Sequence, residues 1–98
     1  PNMSENRDVF VKKMQAKLDE WNAEIDKLEA QSRQKEAEFQ EDLQKRIEEL
    51  KTKRQSTRKK LEELQSAGGS AWQDLKAGVE EAASALGQAL DSARTRFR

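Results

Sequence analysis

The sequence predicts an all-α fold in which a long helix and a shorter helix form an antiparallel coiled-coil hairpin. Charged residues make up 39% of the 98 residues and hydrophobic residues only 34%, a balance typical of coiled coils and exposed helices. Apolar residues recur at steps of three and four along most of the chain, which is the period of one helix face. A single strong turn signal, Gly68-Gly69, separates the two helical patterns.

The long helix is predicted to run from about residue 5 to residue 66. Its apolar seam reaches Leu64 with one phase slip, between Lys35 and Ile47. Nothing in residues 31–39 is a turn former, and a slip of this kind relaxes a supercoil without breaking the helix. At about 1.5 Å per residue, the helix would be roughly 90 Å long.

The predicted turn, residues 67–70, contains the glycine pair that ends the long helix. Ser70 and Gln73 have the spacing of a capping box, so a second helix is predicted over about residues 71–97. Two interior glycines each cost this helix about 1 kcal/mol relative to alanine. Packing against the long helix must therefore hold it.

The two apolar patterns match when they are laid antiparallel across the turn. Leu64 then meets Trp72, and Leu50 meets Leu86, so large apolar residues find apolar or small partners. The predicted hairpin seam consists of Phe39, Leu43, Ile47, Leu50, Leu61, Leu64, Trp72, Leu75, Val79, Leu86, Leu90 and Phe97.

Opposite charges face each other in the same register. Each exposed pair contributes only about 0–1 kcal/mol, so these pairs select the register and orientation more than they stabilise the hairpin. The facing groups are acidic residues 36–42 with Arg94, Arg96 and Arg98, and basic residues 51–60 with Glu80 and Glu81.

The hairpin leaves residues 9–35 without a partner in the same chain. An exposed row of large apolar side chains is an assembly surface, and a second copy of the chain is its simplest cover. We predict an antiparallel homodimer centred on Trp21, because a parallel pairing would bring lysines against their own copies. The predicted dimer seam consists of Phe10, Met14, Leu18, Trp21, Ile25 and Leu28.

A monomeric three-helix bundle is the competing fold. It would require a bend near residues 32–36, and the absence of turn-forming residues there favours the continuous helix.

No catalytic, cofactor-binding or metal-binding residue is predicted. The chain has no cysteine and no histidine, which excludes disulfides and the zinc sites built on these residues. Two carboxylate pairs, Glu48-Glu49 and Glu62-Glu63, resemble acid–base or metal-binding pairs. Adjacent residues on a helix point about 100° apart and do not converge. The sequence therefore predicts a protein that is not an enzyme.

Three features suggest binding, and each also has a structural interpretation. Basic residues 51–60 would suit a phosphate-rich partner, but the net charge is zero and no aromatic residue is interleaved, so nucleic acid is not favoured. The second helix has a clean apolar face that would suit a membrane surface. Its charges balance and its apolar stripe already has a partner, so core packing is favoured. Trp21 is interpreted as a core residue at the dimer centre rather than as a ligand-stacking residue.

Three segments carry a resemblance to known proteins: KLDEWNAEIDKLEA at residues 17–30, KKLEEL at residues 59–64 and GGSAWQDLKAGVEEA at residues 68–82. They resemble a widespread group of short bacterial coiled-coil proteins, mostly uncharacterised and in part described as stress-response proteins. Their helices are similar to apolipoprotein-type amphipathic repeats. The resemblance implies a coiled-coil fold and offers no catalytic residue.

The sequence leaves three kinds of function open. The first is a cytoplasmic, dimeric structural or interaction protein, acting as a stress-related scaffold or binding module. The second is a peripheral protein whose helix 71–97 detaches to bind lipid surfaces or unfolded clients. The third, a nucleic-acid-associated protein using residues 51–60, is the weakest.

Overall fold

Residues 3–97 form three α-helices, and the prediction of an all-α fold is confirmed. The computed structural model describes residues 3–97, with side chains described from residue 6 onwards. The helices are α1 (Met3–Ser32), α2 (Ala37–Gln65) and α3 (Ala71–Arg96), and residues 3–97 contain no strand. Arg98, for which an ion pair was predicted, lies outside the described residues.

The three helices pack side by side in an up-down-up arrangement. The molecule measures 53 × 19 × 17 Å. Helices α2 and α3 form the most extensive contact, α1 packs mainly on α2, and α1 touches α3 less. Helices α1 and α3 run parallel, since Phe10 contacts Trp72 near one end and Glu24 contacts Arg94 near the other.

The prediction of one continuous helix over residues 5–66 was wrong at residues 33–36. The chain turns there, and α1 folds back onto α2 and α3. Glu36 has an extended backbone, with φ −60° and ψ 148°, and precedes the first residue of α2. This is the bend required by the competing three-helix fold.

Burial explains why the chain turns without a turn-forming residue. Fully burying a large apolar side chain contributes about 1.5–3 kcal/mol, and the fold-back buries Leu18, Trp21, Ile25 and Leu28. The cost is a few backbone hydrogen bonds, worth about 0.5–1.5 kcal/mol each. Part of that cost is recovered because the amides of Gln34 and Lys35 still donate to carbonyls three residues back.

The second connection contains the glycine pair. Helix α2 ends at Gln65 and α3 begins at Ala71. Gly69 has φ +54°, a left-handed conformation that side chains with a Cβ rarely adopt. The predicted capping box does not form, because Ser70 is already helical (φ −71°, ψ −18°) and its side chain makes no cap hydrogen bond.

The two interior glycines of α3 have different surroundings, which gives a stability prediction. A Cβ built on Gly78 meets nothing within 4 Å, whereas one built on Gly87 lies 3.4 Å from Cζ2 of Trp21. We expect Gly78→Ala to raise the free energy of unfolding by about 1 kcal/mol, since alanine is the better helix former. Gly87→Ala should gain at least as much, because its Cβ adds an ordinary van der Waals contact with the Trp21 ring. Urea unfolding of both variants tests this, and a loss of stability in either variant would contradict it.

Candidate functional site

The inner face of α1 is the surface that the sequence assigned to a partner chain, so it is the first candidate site. The α1 seam comprises Phe10, Met14, Leu18, Trp21, Ile25 and Leu28. The last four are buried inside the same chain, and Phe10 and Met14 are partly buried against the core. The stated reason for a second chain, an uncovered arm, is therefore removed, because α2 and α3 cover the arm.

Trp21 lies between α1 and α3 and contacts a glycine. It is 9% exposed, and its ring edge approaches the position that a Cβ of Gly87 would occupy. Lys17 lies over the ring, with Nζ 5.7 Å from the centroid. Gly87 thus faces the edge of the indole, a contact that sequence analysis missed because no spacing relates residues 21 and 87.

Most of the predicted hairpin seam lies in the core between α2 and α3. Ten of its twelve members are buried and Leu75 is partly buried against the core, while Phe39 is 55% exposed. The placement of Phe39 in the seam was wrong. Counting back from Leu43 by a strict heptad pattern places Gln40, not Phe39, on the inner face.

Gln40 closes the connection between α1 and α2. Its Nε2 donates to the backbone carbonyl oxygens of Lys35 at 2.7 Å and Arg33 at 3.3 Å. These carbonyls follow the end of α1, where the helix leaves acceptors without internal partners. The phase slip in the sequence was the available signal for this turn.

A cation–aromatic cluster joins α1 to α3 at the glycine-turn end of the bundle. The rings of Phe10 and Trp72 meet edge to face, with centroids 6.2 Å apart. The Arg7 guanidinium lies 4.8 Å from the Trp72 ring and Lys76 Nζ lies 5.1 Å from the Phe10 ring. Such contacts contribute about 0.5–1 kcal/mol each when partly exposed, so the cluster fixes the start of α1 on α3.

A polar pair interrupts the apolar contact between α1 and α2. Arg54 donates from Nη1 to Oδ1 of Asn22 at 2.5 Å, while its buried Nε has no partner among the described residues. The guanidinium can meet Asn22 because α1 folds back, and this pair selects the alignment of α1 on α2.

Two charge pairs join α1 to the other helices. Lys51 Nζ donates to Oε2 of Glu29 at 2.7 Å, and Arg94 Nη2 donates to Oε2 of Glu24 at 2.5 Å. The hydrogen bond from Lys51 lowers the pKa of the Glu29 carboxyl, and the same bond raises the pKa of Lys51. The bond to Glu24 likewise raises the pKa of Arg94.

These pKa directions predict a pH window for the Glu29–Lys51 contact. A carboxyl with a lowered folded-state pKa adds stability above its ordinary value of 4.5, and the stability is lost as pH falls through the folded-state value. The raised pKa of Lys51 adds stability below 10.5, lost at higher pH. We therefore expect Glu29→Gln to destabilise the fold at neutral pH and to destabilise it less at about pH 3, below the ordinary carboxyl value.

Urea unfolding of wild type and Glu29→Gln at both pH values measures the difference. Glu20→Gln, which removes an exposed carboxylate from the same helix, is the matched control. A destabilisation by Glu29→Gln that persists unchanged at the acidic pH would contradict the prediction.

The basic residues at positions 51–60 do not form one continuous surface. Lys51 and Arg54 bond to α1, whereas Lys53 and Lys60 line the opposite side of α2. Glu81 lines the same groove as Lys53 and Lys60, so these charges lie on facing helices as predicted. Among residues 6–97, however, no ion pair joins this run to Glu80 or Glu81, and Lys51 pairs with Glu29 of α1. Of the facing charges predicted between acidic residues 36–42 and the C-terminal arginines, Asp42 and Arg96 form an ion pair, with their charged atoms 3.7 Å apart.

Several open clefts lie along the bundle, and two of them have walls that bear on function. A cleft of about 600 Å³ lies between the end of α1 and the start of α2, and its walls include Glu29, Arg33 and Lys45. A groove of about 440 Å³ runs between α2 and α3 on the side away from α1. We call the second one the α2–α3 groove; it is lined by Thr52, Lys53, Ser56, Thr57, Lys60, Gly78, Glu81, Ala82 and Ala85.

Neither a metal site nor a membrane span is found in the described part of the chain. Residues 3–97 hold no group of three or more acidic side chains arranged to bind a metal ion. Over the same range, no helix combines the length and apolar character needed to cross a bilayer. No protein family, curated protein or solved structure matches this chain, so its function has to be inferred from the geometry of its three helices.

Proposed function

We propose that the chain is a non-enzymatic structural and interaction protein of the cytoplasm, a helical rod that acts as a stress-related scaffold or binding module. The observation that carries the proposal is the closed core. All three helices bury their apolar seams against one another in a rod 53 Å long, and cross-helix polar pairs select one alignment. A rod of this kind has a defined length and faces that partners can recognise.

The folded unit in this proposal is a single chain. The arm-to-arm homodimer predicted from the sequence would require Ile25 and Leu28 to leave the core of their own chain, where both are buried. Light scattering at micromolar concentration should therefore give a mass near 11.3 kDa.

Site-specific photo-crosslinking in the native cell tests the interaction role. A photoreactive amino acid replaces Ser56 in the α2–α3 groove or Ser84 on the exposed face of α3, both outside the core. A binding module is expected to give protein adducts from one of these faces and not from the other. The same probe in a Leu86→Asp variant, whose core is disrupted, should lose them.

Adducts that consist only of lipid or nucleic acid would overturn the proposal. Liposome flotation and salt-dependent DNA binding of the purified protein provide the independent check, and the scaffold role predicts neither interaction at physiological salt.

A second candidate function is lipid or client binding by a released α3, and specific features of α3 favour it. The helix follows Gly69, and charge pairs hold its far end: the partly buried pair of Arg94 with Glu24 and the exposed pair of Arg96 with Asp42. Its inner face carries Trp72 and Phe97, large side chains suited to a lipid interface.

Flotation with liposomes of a charge-altered variant tests release of α3. Arg94→Ala removes the contact with Glu24 and should increase lipid binding if α3 opens. Lys59→Ala removes an exposed charge from α2 and is the matched control. Equal or absent binding by wild type and Arg94→Ala would reject this second candidate.

A further inference from the structure

The connection between α1 and α2 is composed of residues that favour a helix. Residues 33–36 are Arg, Gln, Lys and Glu, all good helix formers. No residue other than glycine has a positive φ among residues 3–97, so the turn needs no special backbone conformation. The marked departure from helical geometry is at Glu36, whose ψ of 148° would have to change to about −42° to continue the helix.

The contacts of α1 do not depend on which chain supplies the helix. The α1 seam, the Asn22–Arg54 bond and the Glu29–Lys51 pair all join α1 to α2 or α3 across the bundle. A second copy with a straight connection would offer the same surfaces to α1. Exchange of an identical element in this way is a low-cost route to a dimer.

The exposure of Phe39 is a second observation that points to another copy of the chain as the partner. Phe39 is 55% exposed and lies within one helical turn of the connection. In an exchanged dimer the two connections lie close to the two-fold axis, where new contacts between the chains form. A large exposed aromatic side chain at this place suits such a contact, whereas in the single chain Phe39 is not part of the hydrophobic core.

We propose that this chain has a second, domain-swapped form, in which residues 33–36 become helical and α1 packs on α2 and α3 of a second copy. The partner is another copy of this chain, and the interface is the α1 seam together with new contacts at Phe39. The swapped form requires only the three-helix fold and does not depend on the proposed scaffold role.

The single chain is favoured at low concentration. A short connection gives α1 an effective concentration in the millimolar range with respect to its own chain. The swapped dimer should therefore appear after unfolding and refolding at about millimolar protein, and it should return to the monomer only slowly, because α1 must leave the core.

Ala37→Pro separates the two forms. Proline is well tolerated at the first position of a helix, Ala37 is that position in α2, and the preceding Glu36 already has the extended backbone that proline requires. In the swapped form position 37 is inside a continuous helix, where proline is strongly unfavourable. The variant should fold as a monomer and lower the dimer fraction about a hundredfold or more for each connection.

Gln40→Ala and Phe39→Ser should have opposite effects on the dimer. The two bonds from Gln40 to the carbonyls of residues 33 and 35 exist only when the connection is bent, so their loss should raise the dimer fraction several-fold, about three- to tenfold. Phe39→Ser should lower the dimer fraction. Val9→Ser changes a side chain of similar exposure, 51%, far from the connection, and should leave it unchanged.

Carbodiimide cross-linking identifies which chain supplies α1. It joins a lysine to a carboxylate in direct contact, and Lys51 and Glu29 are in such contact. An isotopically mixed sample of unlabelled and nitrogen-15-labelled chains is refolded together, and the mass of the cross-linked peptides shows whether they come from one chain or two. Light scattering measures the dimer fraction, and circular dichroism checks that each variant is folded.

The expected result is a dimer with interchain Glu29–Lys51 cross-links that Ala37→Pro abolishes. The proposal is overturned if wild type and Gln40→Ala stay monomeric at about millimolar concentration, or if Ala37→Pro dimerises like wild type. It is also overturned if the dimer carries only intrachain Glu29–Lys51 cross-links, because α1 then stays packed on its own chain.

Discussion

Replacing Ile25 with alanine is expected to lower the free energy of unfolding by about 2–5 kcal/mol. Ile25 is 0% exposed and belongs to the α1 seam, which α2 and α3 cover in the same chain. Removal of its side chain loses apolar burial and leaves a cavity that packed neighbours fill only partly. Urea unfolding followed by circular dichroism measures the loss.

Protein concentration makes this experiment decisive for the fold. When α1 is covered by its own chain, the unfolding midpoint of wild type and Ile25→Ala should not change with tenfold dilution in the micromolar range. In an arm-to-arm dimer, both midpoints would fall on dilution, by mass action. Val9→Ala, at an exposed position of the same helix, should stay within about 0.5 kcal/mol of wild type.

Trp21→Ala should cost about 3–5 kcal/mol, the largest effect expected from one substitution in α1. The indole fills the space between α1 and α3 and lies against Gly87. Its removal should loosen α1 from α3 more than from α2, because the α1–α3 contact is the smaller of the two. Hydrogen exchange should then show the greatest loss of protection in α1.

A double-mutant cycle with Gly87 tests the stated contact. In wild type, the Cβ of Gly87→Ala lies 3.4 Å from the Trp21 ring, an ordinary van der Waals distance, whereas in the Trp21→Ala background that contact is absent. Gly87→Ala should therefore stabilise wild type by more than it stabilises the Trp21→Ala protein, with a coupling of about 0.5 kcal/mol or more. Additive effects would show that the two positions are not in contact.

The α1 seam shows how much of the fold the sequence pattern can predict. Period and residue type identified Leu18, Trp21, Ile25 and Leu28 as one apolar face, and all four are buried. The same pattern is equally satisfied by a partner chain or by the chain's own hairpin, since a heptad seam does not encode which helix covers it. The prediction that a second chain covers the α1 seam therefore had the least support from the sequence pattern.

Phe39 and Gln40 show a second limit of predicting buried positions from the heptad pattern. Counting eleven residues forward from Leu28 places Phe39 in the seam, whereas counting back from Leu43 by the heptad pattern places Gln40 there. In the structure Gln40 faces the turn and Phe39 is exposed. The two counts disagree where the helix breaks. A change of heptad phase at polar seam positions is therefore evidence for a turn as well as for a relaxed supercoil.

The polar contacts between helices were predictable only in part. The Asp42–Arg96 pair joins two groups that the hairpin register brought together. The Asn22–Arg54 and Glu24–Arg94 bonds depend on α1 lying beside α2 and α3, and nothing local in the sequence relates residues so far apart.

The sequence by itself determined that the chain is helical, most of the side chains that are buried and the position of the connection that contains the glycine pair. These properties are local, because helix period, residue type and the conformational freedom of Gly69 act within a few residues. Only the tertiary structure decided that residues 33–36 bend. Their local preference is helical, but folding back buries four large side chains of α1, and this long-range gain exceeds the few hydrogen bonds that a straight helix would keep.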